Sequence, residues 1–118
     1  MMKEIRAILL ADQPLMNIVN EVVPSPTERL DNVIIYEVSP ISDDGIKNVS
    51  RVKLTTVCDT EAQWAEASKR ISELLITKDD RPLTHTILSV AVNGGGSAYD
   101  SDRKKYHKSI FLNITTRS

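Results

Sequence analysis

Few residues of this chain have the types and spacing to do chemistry: one cysteine, two histidines, a glycine run and a short basic cluster. Cys58 ends the tract Arg51-Val-Lys-Leu-Thr-Thr-Val-Cys58, immediately before Asp59-Thr60 and an amphipathic run. A thiol at a helix N-terminus can have its pKa lowered and act as a nucleophile. Free cysteine is also among the most buried residue types, and Cys58 falls on the apolar side of an alternating tract. A core role is therefore expected, with a thiol-dependent enzyme as the minor alternative. Neither His85 nor His107 has a cysteine, histidine or carboxylate at ligand spacing, which argues against zinc. Gly94-Gly95-Gly96 lacks the lysine and spacing of a P-loop. A polar segment follows it instead of the helix of a dinucleotide fingerprint. Its composition points to a mobile hairpin loop.

The acidic and basic clusters give similar answers. Asp100-Ser101-Asp102 opens like a calcium loop, but the required glycine and closing glutamate do not follow. Asp43-Asp44-Gly45 is a turn signal. Arg103, Lys104, Lys105 and Lys108, with Tyr106 among them, have the character of a phosphate-contacting patch. Charge runs are more often solvated flanks. Nothing brings an acid, a base and a nucleophile together. No catalytic residue, metal or cofactor is assigned, and the chain is expected not to be an enzyme.

The composition agrees. A chain of 118 residues suggests one domain over residues 1–118, long enough for a real core. Hydrophobic residues at 41% and charged residues at 26% are ordinary globular values, so disorder is not indicated. No run approaches the roughly 20 apolar residues of a membrane span. The opening Met1-Met2-Lys3-Glu4-Ile5-Arg6 does not read as a signal peptide. A net charge of −1 gives no global field favouring nucleic acid. The lone cysteine fits a reducing compartment. Aromatics are only 4%, few for a base-stacking platform.

The elements follow from periodicity. Residues 3–12 read as a helix, interrupted by Pro14. Asp12 is a candidate N-cap for a second turn carrying Leu15, Ile18 and Val19 inward. Val22-Val23 suggests a short strand, with Pro24 and Pro26 making an edge or irregular arm. Asn32 to Ser39 is a strand whose apolar run implies burial on both faces or a central position; Pro40 is expected to stop it. Val52, Leu54, Thr56 and Cys58 alternate with Arg51, Lys53, Thr55 and Val57, a strand with one buried face. Thr60 with Gln63 forms a capping box opening a helix over 61–75. Its stripe is Trp64, Ala67, Ile71, Leu74 and Leu75. Strands over 84–92 and 108–116 complete the chain. The expected fold is α+β: a mainly antiparallel sheet of four to five strands with two helices on one face, in the order α-β-β-β-α-β-β. Flexible loops are expected near 40–48 and 93–106.

This order of elements resembles a known family. Ile5-Arg-Ala-Ile-Leu-Leu-Ala-Asp12 is followed by a proline-containing arm and by Val33-Ile34-Ile35-Tyr36. Val52-Lys53-Leu54-Thr55-Thr56-Val57 and Thr60-Glu61-Ala62 come next. The pattern resembles the tail-completion proteins of long-tailed bacteriophages, close to the tail terminators, over nearly the whole chain. Asp31-Asn32 stands where many of those proteins have proline. The resemblance implies a virion structural protein of phage or prophage origin, assembled in the host cytoplasm and located at the tail or neck. It implies a homo-oligomeric ring, often hexameric, that caps the tail tube and joins the head. Its partners are then the tail-tube protein and a head-completion or connector protein, with DNA passing through unheld. The interface residues expected are Asp43, Asp44, Gly45 and Lys47 on one hairpin tip. Gly94, Gly95, Gly96, Tyr99, Arg103, Lys104 and Lys105 form the other arm. The competing reading is a small nucleic-acid-binding module using the basic loop 103–108.

Overall fold

The computed structural model describes residues 1–25, 32–43, 45, 47–77 and 81–117. The elements are α1 (Met2–Ala11), α2 (Gln13–Met16), β1 (Glu21–Pro24), β2 (Val33–Asp43), β3 (Lys47–Cys58), α3 (Glu61–Leu75), β4 (Ile87–Asp100) and β5 (Lys105–Arg117). The strands form one sheet in the order β1-β2-β3-β5-β4. β1 is parallel to β2, and every other pairing is antiparallel. The α+β class, the strand number and the mainly antiparallel sheet are as expected. The interrupted N-terminal helix appears as two helices, α1 and α2.

Asp12 explains that interruption. Its extended backbone (φ −86°, ψ 107°) ends α1, and its carboxylate accepts the Leu15 N–H at 3.1 Å to cap α2. Arg70 of α3 donates to the same carboxylate, through Nε at 3.0 Å and through a second guanidinium nitrogen. The Arg70 hydrogen bonds hold the Asp12 carboxyl below its ordinary pKa. One short side chain thus turns the chain and ties the N-terminal helices to α3. At the start of α3, Thr60 Oγ1 accepts the Gln63 N–H at 3.2 Å and Gln63 Oε1 accepts the Thr60 N–H at 3.3 Å. The capping box read from the sequence is present.

The core lies between the helices and one face of the sheet. β3 contributes Val52, Leu54 and Cys58, and β5 contributes Ile110, Leu112 and Ile114. Ile34, Val22, Ile87 and Val90 come from the remaining strands; Ile5, Leu9, Leu15, Val19, Ala67, Ile71 and Leu75 come from the helical layer. Fully burying one such aliphatic side chain contributes about 1.5–3 kcal/mol. Trp64 and Leu74 are only half-buried, at the margin. Val33 and Val57 are register partners and are also fully buried, although they alternate to the other face. β2 is thus buried on both faces at Val33 and Ile34, and partly buried at Ile35 and Tyr36.

Three boundaries differ from expectation. β2 does not stop at Pro40; it passes through a bulge between Pro40 and Ser42 and continues to Asp43. Residues 84–86 are a turn rather than a strand start, because Thr84 Oγ1 accepts the N–H groups of Thr86 and Ile87 at 3.3 and 3.0 Å. The segment expected as a loop over 93–106 is largely strand: β4 runs to Asp100, and the turn is only 101–104. Likewise most of 40–48 belongs to β2 and β3.

The glycines explain the misreading of β4. Gly94 adopts φ 101° beside the register shift between Val92 and Gly95. Gly95 lies so close to β5 that a Cβ there would stand 2.7 Å from the Ser109 carbonyl oxygen. Here glycine serves a bulge and a close approach. Gly96 has open space around it. Gly95→Ala should therefore lower stability by about 1–3 kcal/mol, whereas Gly96→Ala should be nearly neutral. Urea unfolding followed by circular dichroism separates the two, and equal midpoints would refute the close-approach account.

Candidate functional site

The residues singled out in the sequence do not converge on one site. Asp43, Gly45 (φ 84°) and Lys47 lie at the tip of the β2–β3 hairpin; Asp44 lies outside the described residues. Tyr99, Arg103, Lys104 and Lys105 lie at the opposite end, around the β4–β5 turn. Register shows this directly: Lys47 pairs with Arg117, while Cys58 pairs with Tyr106. At about 3.3 Å per residue the two ends of β3 are roughly 36 Å apart, in a molecule whose longest dimension is 45 Å. Gly94, Gly95 and Gly96 lie between, along the β4 edge.

The basic cluster is neutralised in part. Arg103 pairs with Asp100 at 3.3 Å, and Lys105 pairs with Asp59. Lys108 turns to the helix side, with Nζ 4.3 Å from the centre of the Trp64 ring. The Lys105 hydrogen bond holds the Asp59 carboxyl below its usual range; the Arg103 backbone N–H does the same for Asp100. Among the described residues, Lys104 alone of the four cations has no such partner. Tyr99 and Tyr106 contact each other, ring centres 4.7 Å apart and tilted by 54°.

Around Phe111 the sheet face away from the helices is polar. Phe111 stands there with the Arg51 guanidinium at 5.7 Å and the Lys53 ammonium at 5.8 Å from its ring centre. Thr55 hydrogen-bonds Ser109 at 3.1 Å, and Asn93 donates to Asn113 at 3.2 Å. Tyr36 packs on the helix side instead. That leaves one aromatic on the central strands of the open face, fewer than a base-stacking sheet uses.

The remaining candidates sit apart. Cys58 is buried, and desolvation with the adjacent Asp59 charge pushes its thiol up to about 11. Burial outweighs any effect of the neighbouring helix N-terminus. His85 is exposed, and His107 alternates to the face opposite Cys58. The buried His107 Nε2, Trp64 Nε1 and Ser68 Oγ have no hydrogen-bond partner among the described residues. No cluster of His, Cys, Asp and Glu suited to a metal is found among the described residues. None of the described helices is long and apolar enough to cross a membrane.

Sequence reasoning missed three exposed apolar residues. Val38, Ile41 and Val92 are 40%, 50% and 53% exposed, like Tyr99 at 51%. A signal for Val92 was present: from Ile87 to Tyr99 there is neither a charge nor a proline, unusual for an edge strand.

No protein-family model matches the chain, and no curated protein matches it. Among solved structures, the fold is similar to a chain in the virion of a native gene transfer agent particle. The TM-score is 0.70 at 14% identity, covering 97% of this chain and 92% of that one.

The Cys58 environment predicts an inert thiol. An aromatic disulfide reagent should leave the folded protein unlabelled at pH 8 and label it fully in urea. The linkage has a definite sign. The folded thiol ionises near 11 against an ordinary 9.0, so its contribution to stability is full below pH 9 and is lost as pH rises toward 11. Cys58→Ala should lack this alkaline decline, read as the urea midpoint against pH.

Proposed function

We propose that this chain is a structural subunit of a virion, of the tail-completion or tail-terminator kind. It forms a ring, a hexamer in this reading, at the head-proximal end of a long tail and joins tail to head. The observation that carries the reading is a fold shared along nearly the full length of both chains with a component of a virion particle. The order of elements in the sequence supports the same conclusion.

The architecture suits the role. A ring subunit needs a rigid body with two different surfaces for its neighbours and further surfaces for the structures above and below. The helix-backed centre of the sheet supplies the body. The β2–β3 tip and the β4–β5 turn project from opposite ends, one toward the tail-tube protein and the other toward the head-completion protein. Local pairing of Arg103 and Lys105 leaves no strong basic patch, so DNA passing through the ring is not gripped. The role is one of shape and contact, with no catalytic step. The same pairing weighs against the nucleic-acid-binding alternative, since ion-paired cations release few counterions to phosphate.

Light scattering over a concentration series, with and without purified tail tubes, tests this. Growth to a ring mass, or capture on tube ends seen by electron microscopy, is expected. A chain that stays monomeric, ignores tubes and is retained on DNA at low salt would overturn the reading.

A further inference from the structure

Two stretches of sheet edge are free among the described residues, and they differ. On one side, β1 covers β2 only from Val33 to Tyr36. The Tyr36 carbonyl accepts the Ser25 N–H at 2.8 Å. Backbone groups alternate with period 2, so the N–H and C=O of Val38 face the same outer edge with nothing described beside them. On the other side, Val90 is the last covered residue of β4: its carbonyl accepts the Thr77 N–H at 3.2 Å, and its N–H donates to Thr77 Oγ1 at 3.1 Å. Two residues on, Val92 presents its N–H and C=O outward.

The two free tracts match in three respects. Val38 and Val92 lie at one level of the sheet, through the register chain Val38–Val52–Leu112–Val92. Both alternate to the helix side, where each is exposed. β2 and β4 run in opposite directions, so a second copy in the same orientation would meet β4 with its β2 antiparallel. Edge strands are normally shielded by lysine, proline or short length. β1 is short and ends in Pro24. The free β2 tract carries Pro40, whose missing donor faces this edge ahead of a bulge, so Val38 supplies its one outward N–H before the bulge. β4 has neither lysine nor proline before Asp100, and a bulge follows Val92.

We infer that the subunits join head to tail by sheet continuation, the β2 edge beyond Tyr36 of one copy pairing antiparallel with the β4 edge beyond Val90 of the next. This rests on the ring reading above and specifies its contact. A two-fold β4–β4 pair would leave the β2 tract and its exposed Val38 and Ile41 unsatisfied, whereas the head-to-tail contact uses both edges of every copy. Thr77 and Ser25 occupy the ledges where each tract begins, so neighbouring copies are staggered along the strands. A constant stagger around a closed ring tilts the strands from the ring axis.

The test uses Val38→Pro and Val92→Pro. Both N–H groups face outward, so each variant should keep its circular dichroism spectrum and thermal midpoint, yet shift half-assembly to at least tenfold higher concentration. Mixing the variants is diagnostic: one retains an intact β4 edge, the other an intact β2 edge, so the mixture should form a mixed dimer and stop there. Rings that form undisturbed in either variant would overturn this interface and leave the proposed function standing. So would a mixture showing no dimer while the wild type assembles. A wild type that neither forms rings nor binds tubes would overturn both.

Discussion

A helix advances about 1.5 Å per residue and a strand about 3.3 Å, and the architecture depends on that difference. α3 has 15 residues and is about 22 Å long; β5 has 13 residues and is about 43 Å long. A helical layer of this length cannot cover strands of this length. The buried core therefore covers part of the sheet, from Cys58 at one end of β3 to Ile87 at the start of β4, and the hairpin tips extend past it. Val38 and Val92 share the level of the buried Val52 and Leu112 and are exposed because they stand on β2 and β4, which flank the covered centre; Ile41 and Tyr99 are exposed near the hairpin tips.

The same economy of length governs the electrostatics. Among the described residues, the ion pairs of the β4–β5 turn are short in reach. Asp100 holds Arg103 within its own turn, and Asp59 holds Lys105 across the β3–β5 pair. Asp12 is the exception in reach, since it caps α2 and binds Arg70 from the far side of the helical layer. These pairs are partly exposed and individually modest. With a net charge of −1, the chain has no strong overall field of either sign.

Much of this was legible in the sequence because local signals agreed with the fold. The switch of period at Asp59-Thr60, the Thr60–Gln63 box and the alternation through Val52, Leu54 and Cys58 placed α3 to the residue and β3 from Arg51 onward, while the strand itself begins at Lys47. The interruption at Pro14 and the cap at Asp12 were equally clear. The glycine run was misread because composition reports conformational freedom, and only the approach of β5 reveals that Gly95 is glycine for want of space. Strand extension past Pro40 was hidden for a related reason: a proline is tolerated where its missing donor faces an edge, and edges are set by strand order. The candidate surfaces were less legible still. Val92 carries the same period as a buried residue, and only the place of β4 at the edge of the sheet shows why it is exposed.

The placement of β5 has a consequence for how the molecule comes to exist. β5 follows β4 in the chain but lies between β3 and β4 in the sheet. Its register partners in β3 are 48 residues distant at Cys58–Tyr106 and 70 at Lys47–Arg117. Such non-local pairing makes folding slow, on the order of milliseconds to seconds. During synthesis β4 emerges before the strand it needs, and its charge-free tract has no neighbour. The charge-free edge of β4 is thus, for a brief period in every newly made chain, its main liability to aggregation.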